Sequence, residues 1–306
     1  MMSHTRHTRE LKHPITPSDW RRIRANLFPA AISAVEPWQA FPWHSNSRGS
    51  FDTHQPHSSQ ALAIDVFGTL QSAQSRNAIL NALAEQLGLP DSQDWQVSLE
   101  WLDPDNLLAE PRRSQIDAVA RSAENLIFFE CKFTEQSAGA CTQPNLRRGV
   151  RQCNSNYELQ TNPINSKTAR CALTAKGIRY WEHIPEIFTF GADQDHTPCP
   201  FAGSWYQWMR NLVQCSTVAR HYNLRPAFVV TYADGPFAVA KEIRLPAWQR
   251  FLSTLRPRHL PLATLSYQEL VALAKQNSAP QEMATWQALE EWVNRKIKSV
   301  VGSTPV

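Results

Sequence analysis

Glycine is scarce in this chain, 10 among 306 residues, which excludes collagen-like repeats and glycine-rich low-complexity designs. Charge is also sparse: Asp, Glu, Lys and Arg make up 19% against 42% apolar residues, a balance that excludes wholesale disorder and supports a sizeable buried core. No apolar run approaches the roughly 18 residues that span a bilayer; Ala227–Ala233 is among the largest and falls far short. The opening MMSHTRHTRELKHP is basic but has no apolar segment behind it, so no secretory leader is read. Absent too are G-x-S-x-G, H-E-x-x-H and G-x-x-x-x-G-K-[ST], which removes support from serine-hydrolase, zincin and P-loop readings. What is left is a soluble, cytoplasmic, non-membrane globular protein, with length for one large or two small domains at about 150 residues each.

What is present is unevenly placed. The formal net charge is only +4, yet residues 141–185 hold Arg147, Arg148, Arg151, Lys167, Arg170, Lys176 and Arg179 against Glu158 and Glu182, a local +5. Residues 91–110 hold six acids and no base. Such segregation suits a polyanion-binding face beside an acidic, metal-binding site, and equally two solvated faces. All six cysteines, Cys131, Cys141, Cys153, Cys171, Cys199 and Cys215, lie within 85 residues. In a reducing compartment a disulfide scaffold is not expected, so metal binding and plain buried thiols remain.

Residues 1–58, rich in His, Pro, Trp and Arg, read as a loosely structured arm with a helical piece around 18–27. The apolar stretch 59–70 fits a helix or a buried strand. Ile79, Leu80, Leu83 and Leu87 have helical spacing, stopped by Gly88 and Pro90. Residues 95–102 alternate as a strand. Residues 114–121 and 126–133 are β-rich runs separated by the turn-prone Ser122-Ala-Glu-Asn125, hence a hairpin. Trp205, Trp208, Met209, Leu212 and Cys215 mark a helix with Ser204 as its cap, and Arg225-Pro226 closes that unit ahead of a buried strand at 227–233. The tail adds two helices, one behind the capping box Ser266-Tyr-Gln-Glu269 and one striped by Met283, Trp286, Leu289, Val293 and Ile297. The order is helix, strand, strand, strand, helix, strand: α/β with a central mixed sheet.

A hairpin turn centred between Ala123 and Glu124 sets Asp117 opposite Glu130, on one face with β-carbons about 5 Å apart. Lys132 shares that face. Ile116, Ala118, Ala120, Ile127, Phe129 and Cys131 occupy the other, which is wholly apolar. Side-by-side carboxylates on hydrophobic strands repel and are costly to bury. A divalent cation relieves both, and hard oxygen ligands suit Mg²⁺ or Mn²⁺. A lysine beside a metal-bound water can orient or deprotonate it and offset charge at a phosphate, which is the chemistry of phosphodiester hydrolysis. The alternative is a cross-strand ion pair of Lys132 with either acid on a solvent face. A second Glu-x-Lys, Glu10-Leu11-Lys12, has no strand pattern or preceding aspartate and is set aside.

With Asp117, Glu130-Cys131-Lys132 and this order of elements, residues 75–233 resemble the PD-(D/E)XK nuclease superfamily and its restriction-endonuclease-like αβββαβ core. Arg113-Ser-Gln-Ile-Asp-Ala-Val is similar to the R-t-s-i-D-v-l wording of its restriction-endonuclease-like branches. The resemblance implies a metal-dependent nuclease acting on nucleic acid, DNA before RNA, with Mg²⁺ held by Asp117, Glu130 and the Cys131 carbonyl. It also implies a further acid from the first helix or strand, for which Glu85, Glu100 and Glu110 are candidates. Ile116 stands where the family's proline would precede the aspartate, and the stretch from Phe133 to the Ser204 helix is longer than the core needs unless a helix near 145–157 is the family helix. The boundaries that follow are an arm at 1–58, a nuclease-like domain at 59–245 with an insertion at 136–203, and a helical extension at 246–306.

Within the insertion, Cys141, Cys153, Cys171 and Cys199 sit in polar, loop-like surroundings, a set of ligands for Zn²⁺ or an iron–sulfur cluster or independent thiols; no C-x-x-C is present. Superfamily nucleases with a four-cysteine cluster typically place one cysteine upstream of the core, and this chain has none there. Arg147, Arg148, Arg151 and Gln152 are candidate nucleic-acid contacts, or a solvated basic helix. Tyr206, Arg210 and Asn211 have spacings that could face a cleft. A second function class therefore stands beside the nuclease: a non-catalytic nucleic-acid-binding or regulatory protein with a structural zinc site.

Overall fold

The computed structural model describes residues 14–46, 49–137, 139–144, 153–158, 170–256 and 260–302. Helix α1 (Pro17–Ala25) begins at Thr16, whose hydroxyl accepts the Asp19 N–H while the Asp19 carboxylate accepts the Thr16 N–H. Two 3₁₀ turns follow, Pro29–Val35 and Trp38–Ala40. This corrects the expectation of a loose arm: Ile23, Leu27, Val35, Phe41, Trp43 and Phe51 form a buried cluster of their own, closed by Ala61 and Ile64. Proline and tryptophan enrichment signals irregular backbone, but irregular backbone packs well when its large rings find one another, as Trp20 and Trp38 do in a stack with centroids 5.6 Å apart.

The stretch that fits helix or strand is helical: α2 (Ser59–Ala63), a π turn at Ile64–Gly68, and α3 (Thr69–Ser72). Every residue from Gln60 to Leu70 is buried, so the periodicity that announces a half-exposed helix is missing. Gly68 permits the close crossing with the first 3₁₀ turn, since a β-carbon there would stand 3.0 Å from the Ala31 side chain. Then come α4 (Arg76–Gln86), β1 (Gln96–Leu102), β2 (Gln115–Arg121) and β3 (Asn125–Lys132). Within the insertion lie α5 (Ala172–Ala175) and α6 (Tyr180–Ile187), and past it α7 (Trp205–His221). The chain ends with β4 (Arg225–Tyr232), α8 (Ala238–Glu242), α9 (Pro246–Ser253), β5 (Leu262–Ser266), α10 (Tyr267–Asn277) and α11 (Met283–Val301).

The five strands form one mixed sheet in the order β1-β2-β3-β4-β5, the first two pairings antiparallel and the last two parallel. β2 and β3 pair Ala118 with Phe129 through Arg121 with Leu126, the register expected from a turn between Ala123 and Glu124. The helix–strand–strand–strand–helix–strand order is present, with β5 added at the edge. That strand is four half-buried residues and a buried Ser266, without clear alternation, and carries no legible strand signal. Two local readings are corrected. Ser204 is already helical in its backbone angles and makes no side-chain cap, and Arg225 and Pro226 open β4 instead of ending the preceding unit. Residues 153–158 are not helical; Tyr157 instead bridges to His196, and 145–152 lie outside the described residues.

Helix α7 lies against β3 and β4, with Asn211 reaching Glu130. The other face carries the N-terminal helices, with the Phe67 and Phe129 rings 4.6 Å apart. Trp286, Leu289, Val293 and Ile297 of α11 are buried along one stripe. The capping box forms as expected: Ser266 Oγ accepts the Glu269 N–H at 3.1 Å and the Glu269 carboxylate accepts the Ser266 N–H at 2.7 Å. Ser266→Ala should cost about 1 kcal/mol of stability, read as a lowered urea midpoint with unchanged slope; an unmoved midpoint would mean the cap contributes nothing. Among the described residues no helix is long and apolar enough to cross a membrane.

Candidate active site

The hairpin brings its acids to the end of the sheet where β3 and β4 finish side by side. All eight residues of β3 are buried, because even-numbered side chains meet α7 and odd-numbered ones meet the N-terminal helices. Glu130 and Lys132 are therefore inside, 2% and 6% exposed, and not on the solvent face that a surface ion pair would occupy. Lys132 Nζ lies 2.7 Å from Glu130 Oε1. Two residues of α7 complete the arrangement. The Gln207 amide donates to Glu130 Oε1 and its carbonyl oxygen accepts from Lys132 at 3.1 Å. The Asn211 amide donates to Glu130 Oε2 at 2.5 Å. Asn211 was among the cleft candidates; Gln207 was not. Its signal was present all the same, since Gln207 and Asn211 stand one turn apart on the helix that follows the motif.

Asp117 belongs to β2, one residue beyond the Ala118–Phe129 pair, and its Oδ2 accepts the Cys131 N–H at 2.7 Å. Burial, then the neighbouring Glu130 and Glu100 carboxylates, push its carboxyl well above the ordinary aspartate range, against the opposing pull of Lys132 and the Cys131 N–H. For Lys132, burial works against the charge, but Glu130, Glu135 and Asp117 outweigh it and push the ammonium above its ordinary value.

Among the three further acids, the structure separates Glu100 from the others. Its backbone takes φ +51, left-handed for a residue inside a strand, although the β1–β2 register runs unshifted on either side of it. The interruption turns its carboxylate to Gln60 of α2, whose amide donates at 2.6 Å, and to His44 at 3.2 Å. Burial of His44 opposes its charge, yet Glu100, with Asp117 and Glu135 beyond it, pushes the imidazole up to about 9. Glu110 is buried elsewhere, accepting the Ser114 N–H at 2.6 Å, the Ser114 hydroxyl at 2.7 Å and the Tyr180 hydroxyl. Glu85 is exposed on α4. Neither is among the main influences on the Asp117 carboxyl. His44 and Gln60 escaped the sequence reading because each is a lone polar residue far from the motif, in a region with no catalytic spacing.

Two carboxylates on neighbouring strands, one of them pushed toward protonation by burial and then by the other, form a hard-oxygen donor pair that fits a divalent cation. Among the described residues no three His, Cys, Asp or Glu side chains already stand at metal-binding spacing; Glu130 in this arrangement is held by Lys132, Gln207 and Asn211. Arg147, Arg148, Arg151 and Gln152 lie outside the described residues. Tyr206 makes an edge contact with Tyr180, and Arg210 hydrogen-bonds Asn211 at 3.4 Å. None of the six cysteines is in a disulfide.

The profile of a family described as restriction endonuclease associating with ARP matches residues 13–290. No curated protein and no solved structure matches the chain.

Proposed function

The chain belongs to the family of restriction endonucleases associating with ARP, a nuclease family of restriction-endonuclease-like build, and from that premise we propose that it hydrolyses phosphodiester bonds of DNA in a Mg²⁺- or Mn²⁺-dependent reaction at Asp117, Glu130 and Lys132. The observation that carries this reading is a half-buried Asp117 beside a buried Glu130, with Lys132 ion-paired to Glu130 at 2.7 Å. A structural ion pair needs one acid; the second acid, with its raised carboxyl pKa, adds a repulsion that only a cation or a proton relieves.

Asp117 and Glu130 would hold the ion, with the Cys131 carbonyl beside them. A divalent ion held there would supply Lewis-acid polarisation of the scissile phosphate and of the attacking water. The Lys132 ammonium, fixed between Glu130 and Gln207, orients the attacking water and offsets charge growing on the phosphate. Gln207 and Asn211 hold the Glu130 carboxylate in one orientation through its two oxygens. Glu100 is our candidate for the further acid, kept near Asp117 by Gln60 and His44.

Purified full-length protein should cut duplex DNA with Mg²⁺, lose cleavage in excess EDTA and recover it when Mg²⁺ is restored. Asp117→Asn should abolish cleavage while leaving the circular dichroism spectrum unchanged. Parallel assays on RNA decide the polymer. Salt-dependent binding without cleavage, across Mg²⁺, Mn²⁺ and both polymers, would overturn the nuclease and favour the binding-protein class.

A further inference from the structure

The insertion contains a second, independent constellation. Cys141, Cys153, Cys171 and Cys199, from four separate loop positions, all line one cavity of about 30 Å³. Cys131 and Cys215 do not line it; they are buried in the core. Four thiols separated by 12, 18 and 28 residues have no local reason to meet, so the chain's path brings them together.

The loops that carry them are also prepared in a specific way. The Ser155 backbone N–H donates to Cys153 Sγ at 3.4 Å. The backbone of Gln143 does the same for Cys141 and that of Phe201 for Cys199. Three of the four sulfurs thus accept a backbone N–H from the residue two positions on. A neutral thiol is a weak acceptor, whereas a metal-bound thiolate carries negative charge that such donors stabilise and orient. The loops are joined as well: Cys199 N–H donates to Ser155 O at 2.7 Å, and Tyr157 N–H to His196 O at 2.8 Å.

We propose that Cys141, Cys153, Cys171 and Cys199 form a tetrathiolate site for a single soft divalent ion of the zinc class. Four thiolates and no other ligand type match the closed tetrahedral sulfur site that Zn²⁺ takes, with sulfurs at about 2.3 Å. Among the described residues no three of these side chains already stand at metal-binding spacing, so the site requires the loops to close on the ion. Its role is positional. Tyr206 and Met209 of α7 line the same cavity, and α7 also carries Gln207 and Asn211, which hold Glu130. The ion ties the insertion to the helix behind the acids, and the proposal stands or falls independently of the nuclease reading.

Elemental analysis of the full chain, purified under reducing conditions, should give about one zinc per chain. Exchange for Co²⁺ should produce the intense visible bands of tetrahedral thiolate coordination. Cys171→Ser and Cys199→Ser should lose the ion and the cobalt bands, and Cys215→Ser should keep both. If the serine variants fail to fold, titrating the wild type with an organomercurial while monitoring zinc release keeps the test decisive: four thiols should react per ion freed. Metal extraction should lower the melting temperature. Absence of metal overturns the site, stoichiometric iron with broad visible absorption overturns the single-ion reading, and an unmoved melting temperature overturns the structural role.

Discussion

Replacing Lys132 with alanine should lower DNA cleavage on the order of 10³-fold, the scale of losing a residue that positions or shuttles protons at the reacting water. The side chain is buried and bonded to Glu130 and Gln207, so part of any loss could come from a displaced Glu130. Two readouts separate the causes. Lys132→Met keeps most of the methylene stem and should lose activity to the same degree while its urea midpoint shows whether the fold survives. DNA affinity measured in Ca²⁺ should change far less than kcat, because a group acting on the attacking water contributes mainly in the transition state. Full activity of either variant removes Lys132 from the reaction.

The largest expected effect on stability lies outside the hairpin. Asp65, in the π turn, is 0% exposed and accepts from Lys296 Nζ at 2.5 Å, from Trp292 Nε1 at 2.9 Å and from the Phe28 N–H at 2.6 Å. Lys296 also donates to Asn26 O at 2.6 Å. One carboxylate therefore joins the N-terminal segment, the π turn and α11. Lys296→Met leaves that charge buried without its cation, which costs about 3–5 kcal/mol. Equilibrium urea unfolding checks it, and a loss under about 1 kcal/mol would contradict the buried-pair account. Burial already raises the Asp65 carboxyl above its ordinary value, against the pull of Lys296. Without the lysine that value rises further. A carboxyl with a folded pKa above its unfolded one gains stability as pH falls, so the deficit of the variant should shrink toward acid pH. Asp65→Asn combined with Lys296→Met should restore part of the loss.

The same residue illustrates what was legible and what was not. Asp65 sits inside SQALAIDVFGTL, where the sequence leaves helix and strand open, because a stretch buried on every side has no polar face to reveal its period. Lys296 lies 231 positions away, and no local pattern links them. By contrast the hairpin register, and with it the Asp117–Glu130 opposition, follows from turn position and strand alternation alone, both of which act over a few residues. The tail helices were legible for the same reason: a capping box and an apolar stripe are local devices.

The N-terminal segment marks the limit. Its composition suggested an arm, yet Trp43 and Ile23 are buried, since packing depends on what the chain later presents to it. The cysteines mark it again. Their clustering in sequence raised metal binding as one of two options. Only the path of the insertion assembles them around one cavity, and only the loop backbone aims N–H groups at three of the sulfurs.

The sequence by itself determined the order of elements, the hairpin that opposes Asp117 to Glu130, the helix that follows and the scarcity of charge that makes those acids conspicuous. These rest on periodicity and turn chemistry, interactions between near neighbours. Tertiary structure decided which further acid stands near the pair, that Gln207 and Asn211 hold Glu130, that His44 and Gln60 hold Glu100, and that four distant thiols share one cavity. Those contacts join residues tens to hundreds of positions apart, and their geometry exists only once the core has closed.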